Sequence, residues 1–429
     1  MSTAVTPKVE SVNHGDILAK ISWKLPITFA IATLIAVFAA LKSEGMAVFK
    51  FSLSRKDMIQ VPEWHVSASL LCWILAACAA LAFLWATWRT SRREKVGIIA
   101  AFVVAVAVVF SLLAWQGGGS AGQITLTATL AAALALSTPL IFGALAGVVS
   151  ERSGVVNIAI EGQLLTGAFA GVVVASATGS VWVGFIAAPI AGALIGALLA
   201  LFAVRYNVDH IIVGVVLNTF ALGLTTFFFS TVLSQKPELN SASMNLENIK
   251  IPLLGDIPVI GPAFFNQTLL TYFMYIVIVV LTIYLFRSRW GLRLRACGEH
   301  PHAADTVGIK VRPIRFRASL ISGALAGLGG AYFTIGANIG HSFNNNMTDG
   351  NGYIALAAMI LGKWHPVGAV GAAVMFGFAK AVAILMPSLN IDAPSNLINM
   401  IPYVVTVLAV AGFVGRSRPP ASENVPYTK

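Results

Sequence analysis

Long apolar runs separated by short polar stretches make up almost the whole chain. A bilayer core ~30 Å thick takes about 20 helical residues. Twelve runs approach that length: Pro26–Leu41, Val66–Trp88, Val96–Trp115, Ile124–Val149, Val155–Ala177, Val181–Val204, Ile211–Val232, Thr268–Phe286, Phe316–Ile335, Tyr353–Trp364, Val367–Met386 and Leu397–Val414. The predicted fold class is all-α, a polytopic transmembrane helical bundle of about 10–12 spans. Tyr353–Trp364 is short. At 1.5 Å per residue it reaches ~18 Å, too short to cross unaided, so it is a candidate half-helix buried among others; re-entry instead of crossing would move the C-terminus to the other side, which the basic tail argues against.

Composition agrees with this pattern: 57% of the 429 residues are hydrophobic and 10% charged. No polar stretch is long enough to bury a soluble core. The net charge of +11 is assigned to loops that set membrane orientation rather than to nucleic-acid binding. Three clusters carry it: Arg89, Arg92, Arg93 and Lys95; the eight basic residues from Arg287 to Arg317; and Arg416 with Arg418. Twelve alternating spans put all three on one side with both termini, the cytoplasmic side by the positive-inside rule. The loop carrying Lys42, Lys50, Arg55 and Lys56 runs against the trend. Cys72, Cys78 and Cys297 fit neither a disulfide framework nor a zinc site.

The basic loop after the eighth run holds a second, smaller pattern. Pro301 suits the first position of a helix and Gly308 the left-handed residue after its last turn. Between them lie Ala303, Ala304 and Val307 as an apolar set, and His302, Asp305 and Thr306 as polar edges. Two turns are unstable alone in water. The segment therefore rests on its own bundle as a plain connector, or is gripped by a soluble partner.

Polar residues inside apolar runs are the other candidates. Asn157 and Glu161, spaced i, i+4, are expected on one helix face, as a polar anchor near a solute path or as a buried structural hydrogen bond. Asn218 and Thr219 in the seventh run suit a hydroxyl-bearing solute or a neighbouring helix equally, and Asn351, in the polar turn cluster before the short run, is a solute-path candidate as part of a gate or entry lip, or only part of a turn. Asp209 and His210 read as a helix start, and Lys380 as a snorkelling side chain. The segment Leu233–Gln267 reads as connector or docking surface. Gly143-Ala-Leu-Ala-Gly147 recurs as Gly323-Ala-Leu-Ala-Gly327, a spacing that lets membrane helices approach closely. The sequence has no P-loop, no nucleophile elbow and no metal-binding helix motif, so neither catalytic residues nor cofactors are expected.

Four motifs in order, ERSGVVNIAIEGQLLTGAFAG (Glu151–Gly171), GLRLRACGEHPHAADTVGI (Gly291–Ile309), SGALAGLGGAYF (Ser322–Phe333) and GYIALAAMILGKWHPVGA (Gly352–Ala369), resemble the permease subunits of bacterial ABC importers. The subgroup is the branched-chain amino acid and simple-sugar permeases, nearest the nucleoside importers. The resemblance covers Ala121–Gly415. It implies a permease domain at 121–415; residues 1–120 lie outside it, so the extra spans at 26–120 are a departure from the family pattern, and 1–25 and 416–429 are read as cytoplasmic tails from the charge pattern. It further implies a cytoplasmic ATPase docking on a coupling segment of Glu299, His300, Pro301, His302, Ala303, Ala304, Asp305 and Gly308, a second permease subunit, and an extracytoplasmic binding lipoprotein, all in a bacterial plasma membrane. Nucleosides are the expected cargo, with sugars or branched-chain amino acids as the alternative. An ion-coupled carrier or channel is the rival of another class.

Overall fold

The computed structural model describes residues 23–51, 62–94, 96, 98–118, 124–241, 245–336, 342–388 and 418–428. The expected run Leu397–Val414 lies outside them, as do Arg55 and Lys56. The helices are α1 (Lys24–Lys42), α2 (Ala68–Ser91), α3 (Ile98–Gly118), α4 (Leu126–Glu151), α5 (Ile160–Thr178), α6 (Val181–Ala200), α7 (His210–Phe228), α8 (Ile260–Phe264), α9 (Leu269–Arg287), α10 (Arg289–Glu299), α11 (Pro301–Thr306), α12 (Val311–Thr334), α13 (Asn351–Leu361) and α14 (Pro366–Ser388). Among the described residues, eight helices are long and apolar enough to cross a membrane. The chain is a multi-pass helical bundle.

Strands are few and short. β1 (Met46–Lys50) pairs antiparallel with β2 (Trp64–Ser67) and parallel with β3 (Ile124–Thr125); β4 (Asn248–Lys250) pairs with β5 (Asn266–Thr268). The first sheet links two bodies. α1, α2 and α3 bury their own clusters around Phe29, Cys72 and Leu113, and β3 leads directly into α4 of the main bundle. Lys50, on the loop that breaks the charge rule, lies 3.6 Å from Glu63.

In the main bundle α4 is central. Its apolar window is 83% buried, against 33% for the spans at α6, α7 and α9. Phe142, Leu145, Leu164, Leu328, Met359 and Phe376 fill the core between α4, α5, α12, α13 and α14. Both repeats of Gly-Ala-Leu-Ala-Gly are contact seams. Gly143 and Gly147 lie under Ala355 and Met359 of α13. Gly323 faces Gly192 of α6 so closely that a Cβ on Gly192 would stand 2.2 Å from the Gly323 carbonyl oxygen. Backbones at this distance make dispersion contacts that side chains would forbid.

Three expectations need correction. The fifth run does not begin its helix at Val155: residues 155–157 lie outside any helix, and α5 starts at Ile160. Asn157 and Glu161 therefore share no helix face. The ninth run begins its helix early, at Val311, so Arg312, Arg315 and Arg317 belong to α12 and not to a loop. The basic loop also contains α10, which buries Gly291, Leu294, Cys297 and Gly298 on one side.

Candidate functional site

The half-helix sets the geometry at mid-depth. α13 runs beside α4 with Ala355 at Gly143, Met359 at Gly147, and the Trp364 Nε1–H donating to Glu151 Oε2 at 2.6 Å. That register puts Asn351 level with Pro139, roughly 18 Å above the Glu151 end of α4 at 1.5 Å per residue. It is about the middle of a ~30 Å hydrocarbon core. α5 starts nearby, because Ile160 also touches Gly143 and Gly147. Two helix N-termini, each with unpaired N–H groups, thus converge inside the bundle.

Glu161 serves both. It sits in the first turn of α5, where a carboxylate suits the helix dipole. Its Oε1 accepts from the Gly350 N–H (2.9 Å) and its Oε2 from the Gly352 N–H (2.5 Å). Beside it, Lys380 Nζ donates to Asn351 Oδ1 at 2.5 Å. Lys380 does not snorkel to the surface. Asn218 closes the other side: its Oδ1 accepts from the Gly162 N–H (2.8 Å), and its Nδ2 donates to Ile158 O (2.9 Å) and to the Tyr353 hydroxyl (3.2 Å). Asn157 Nδ2 donates to Gln163 Oε1 (3.0 Å) and Ser322 Oγ (2.8 Å), and Ser322 Oγ donates to Ala146 O (2.7 Å). Glu161, Asn218 and Asn351 come together; Asn157 belongs to a separate network between α4, α5 and α12. All four are buried.

Thr219 differs, since it is exposed and, among the described residues, its hydroxyl bonds back to Val215 O within its own helix. It shares α7 with Thr226, whose hydroxyl bonds Asn345 Oδ1 at 2.6 Å. Tyr353, half-exposed at 50%, projects beside Asn218. The surrounding exposed side chains are apolar, among them Val215, Val216, Phe220 and Phe227. A polar strip on an apolar surface at membrane depth is costly in lipid. Among the aromatic side chains nearby, Tyr332 is buried, whereas Phe227 and Phe228 stand exposed on α7.

The basic end of the bundle holds the short helix. α11 begins at Pro301, and Gly308 takes φ +83° just past its end. Pro301 and Ala304 are buried; His302, Ala303 and Val307 are exposed, Val307 at 74%. The apolar set read from the sequence therefore splits, with Ala304 inward and Val307 outward. Glu299 and His300 are exposed and Asp305 is half-buried.

Sequence reasoning missed Arg315. It is 2% exposed and spreads its guanidinium over four main-chain carbonyls. Nε donates to Ser153 O (3.1 Å), Nη1 to Val425 O (2.9 Å), and Nη2 to Cys297 O (3.2 Å) and Ser422 O (3.5 Å). A planar five-donor fork can fan across acceptors in this way; an ammonium cannot. Gly154, at φ +94°, leaves room for it: a Cβ there would meet Nη2 at 2.6 Å. Burial pushes the neighbouring Cys297 thiol up to about 11. Two of the four carbonyls belong to residues 418–428, so this segment of the expected tail folds back onto the bundle.

Residues 129–410 match the family described as branched-chain amino acid transport system / permease component. Among curated proteins, the chain is 41% identical over 307 residues to the guanosine ABC transporter permease protein NupQ of Bacillus subtilis (strain 168), covering 70% of this chain and 95% of that one. It is 40% identical over 315 residues to the nucleoside ABC transporter permease protein NupC of Lactococcus lactis subsp. cremoris (strain MG1363), covering 71% and 98%. The guanosine ABC transporter permease protein NupP of Bacillus subtilis (strain 168) is 29% identical over 284 residues, covering 65% and 80%. No solved structure matches the chain. A helical bundle built on two small-residue seams, a half-helix at mid-depth and this match over well over half the chain lead to one conclusion: the protein belongs to the family of branched-chain amino acid transport system permease components.

Proposed function

We propose that this chain is the membrane permease of an ATP-driven importer that takes up nucleosides. The observation that carries the reading is the identity of 41% and 40% to permeases named for guanosine and nucleosides, extending over nearly their whole length. In this reading the basic end faces the cytoplasm of a bacterial cell, with both termini on that side. Residues 299–308 dock a separate ATPase, and the outward Val307 is the apolar tip of that contact. A second permease subunit pairs with this one; NupQ and NupP, two permeases of one organism, support such pairing. An extracytoplasmic lipoprotein delivers the solute. Residues 26–120 form an added membrane element beside the permease domain at 121–415.

The substrate path runs along the exposed strip of Thr219, Tyr353 and the Thr226–Asn345 pair, against the second permease. Asn157, Glu161, Asn218 and Asn351 support it from behind, because their polar atoms are already engaged within the fold. Uptake of labelled inosine, ribose and leucine in cells carrying the chain, with and without the partner ATPase, tests the reading. Inosine uptake that disappears with the ATPase supports it. Preference for ribose or leucine would reassign the cargo, and uptake that survives loss of the ATPase would point to an ion-coupled carrier.

A further inference from the structure

The docking helix α11 has little of its own to stand on. Six residues cannot hold a helix in water, and the buried face consists of Pro301 and Ala304. Its anchor is a small cluster of Cys297, Ala304, Val311 and Tyr427, apart from the main core. Three members come from α10, α11 and α12. The fourth comes from the chain's last residues, and Tyr427 also lies 5.2 Å, ring to ring, from His302 of α11.

The same segment is bound along its length. The Ser422 N–H donates to Gly298 O (2.9 Å) and its hydroxyl to Glu299 O (3.1 Å), and the Ala421 N–H donates to Glu299 Oε2 (3.3 Å). These bonds hold it to the end of α10, where α11 begins. On its other side it reaches three spans. Asn424 Nδ2 donates to Asp209 Oδ2 (3.0 Å) and its Oδ1 accepts from the His210 N–H (3.0 Å), at the start of α7. The Glu423 carboxyl lies beside that of Glu151 at the end of α4. Arg315 of α12 receives Ser422 O and Val425 O.

We propose that residues 418–428 are a positioning strap that carries displacement of α11 to α4, α7 and α12. Tyr427 and Asn424 are its positioning residues. The inference rests on the importer reading and assigns the coupling apparatus a second part. A thrust on α11 alone would be absorbed by a weakly anchored turn. With the strap in place it reaches α7, which bears the proposed solute strip, and α4, which carries the half-helix through Trp364.

The test uses two variants, Tyr427→Ala and Asn424→Ala, in the full chain. The first readout needs no transport: hydrogen exchange at residues 301–307 in the purified permease. Tyr427→Ala is expected to speed it about fivefold, the factor set by loss of one buried ring contact. The second is ATP hydrolysed per nucleoside imported by the complete importer in proteoliposomes. Both variants are expected to raise that ratio by a similar factor while the complex elutes intact from size exclusion. Unchanged exchange in Tyr427→Ala overturns the strap, and so does a wild-type ratio in both variants or loss of the assembled complex in both. A wild-type importer that moves no nucleoside marks failure of the transport reading instead, and the exchange measurement still decides on the strap.

Discussion

Replacing Glu161 by alanine isolates the role of the mid-depth carboxylate. The side chain accepts from two N–H groups, Gly350 and Gly352, at the start of α13. Hydrogen bonds to a charged acceptor are worth about 1.5–3 kcal/mol each, and a buried donor left without a partner keeps its desolvation penalty. Two such bonds give about 3–6 kcal/mol. Unfolding entropy of roughly 2.1 cal/mol/K per residue over 429 residues converts this to a fall in Tm of about 3–7 °C. The assay is thermal unfolding of the detergent-purified protein by tryptophan fluorescence. Glu161→Gln is expected between wild type and alanine, since one amide oxygen still accepts one N–H. A melting point within ~1 °C of wild type in Glu161→Ala would refute the claim that this carboxylate anchors the half-helix.

Two further outcomes follow from the structure. Gly192→Val forces a side chain into the Gly323 carbonyl and is expected to cost more than about 4 kcal/mol, seen as loss of extractable protein; Gly223→Ala on α7, with open space around it, serves as the control and stays within ~0.5 kcal/mol. Strap docking should depend on pH through Glu423, whose carboxyl burial raises above its ordinary value. The docked strap then holds a proton on Glu423 that a detached one releases, so this group's contribution is fully present below the ordinary carboxylate range and is lost as pH rises through the raised value, whereas Asp209, lowered by its bond from Asn424, contributes in the opposite sense at more acid pH. Above the ordinary carboxylate range, proteolytic nicking at residues 418–428 should increase with pH in the wild type and increase less in Glu423→Gln; a flat wild-type profile there would contradict it.

The spans were legible because lipid solvent demands long apolar helices, and little else satisfies that demand. The half-helix was legible from the length of Tyr353–Trp364 alone. The start of α5 was not. Val155 and Val156 continue the apolar run, and hydrophobicity does not separate an irregular segment from a helix; Gly154 was the available cue. α10 was hidden among arginines, although Gly291, Leu294, Cys297 and Gly298 already recur at helical spacing. The split of Ala304 from Val307 depends on tertiary packing that a six-residue pattern does not encode. Arg315 and the strap were out of reach, because their tertiary bonds, that of Arg315 to Cys297 apart, join positions more than a hundred residues apart in the chain. A lone tyrosine in a hydrophilic terminus was the sole hint.

The seam between Gly192 and Gly323 restricts how this molecule can change shape. Where main chain rests on main chain there are no rotamers to rearrange, and sliding one helix past the other would drive carbonyl oxygens into α-carbons. α6 and α12 therefore behave as a chassis that tilts as one piece. Any alternation between outward and inward states has to be accommodated at the joints around it, where ordinary side chains supply the slack.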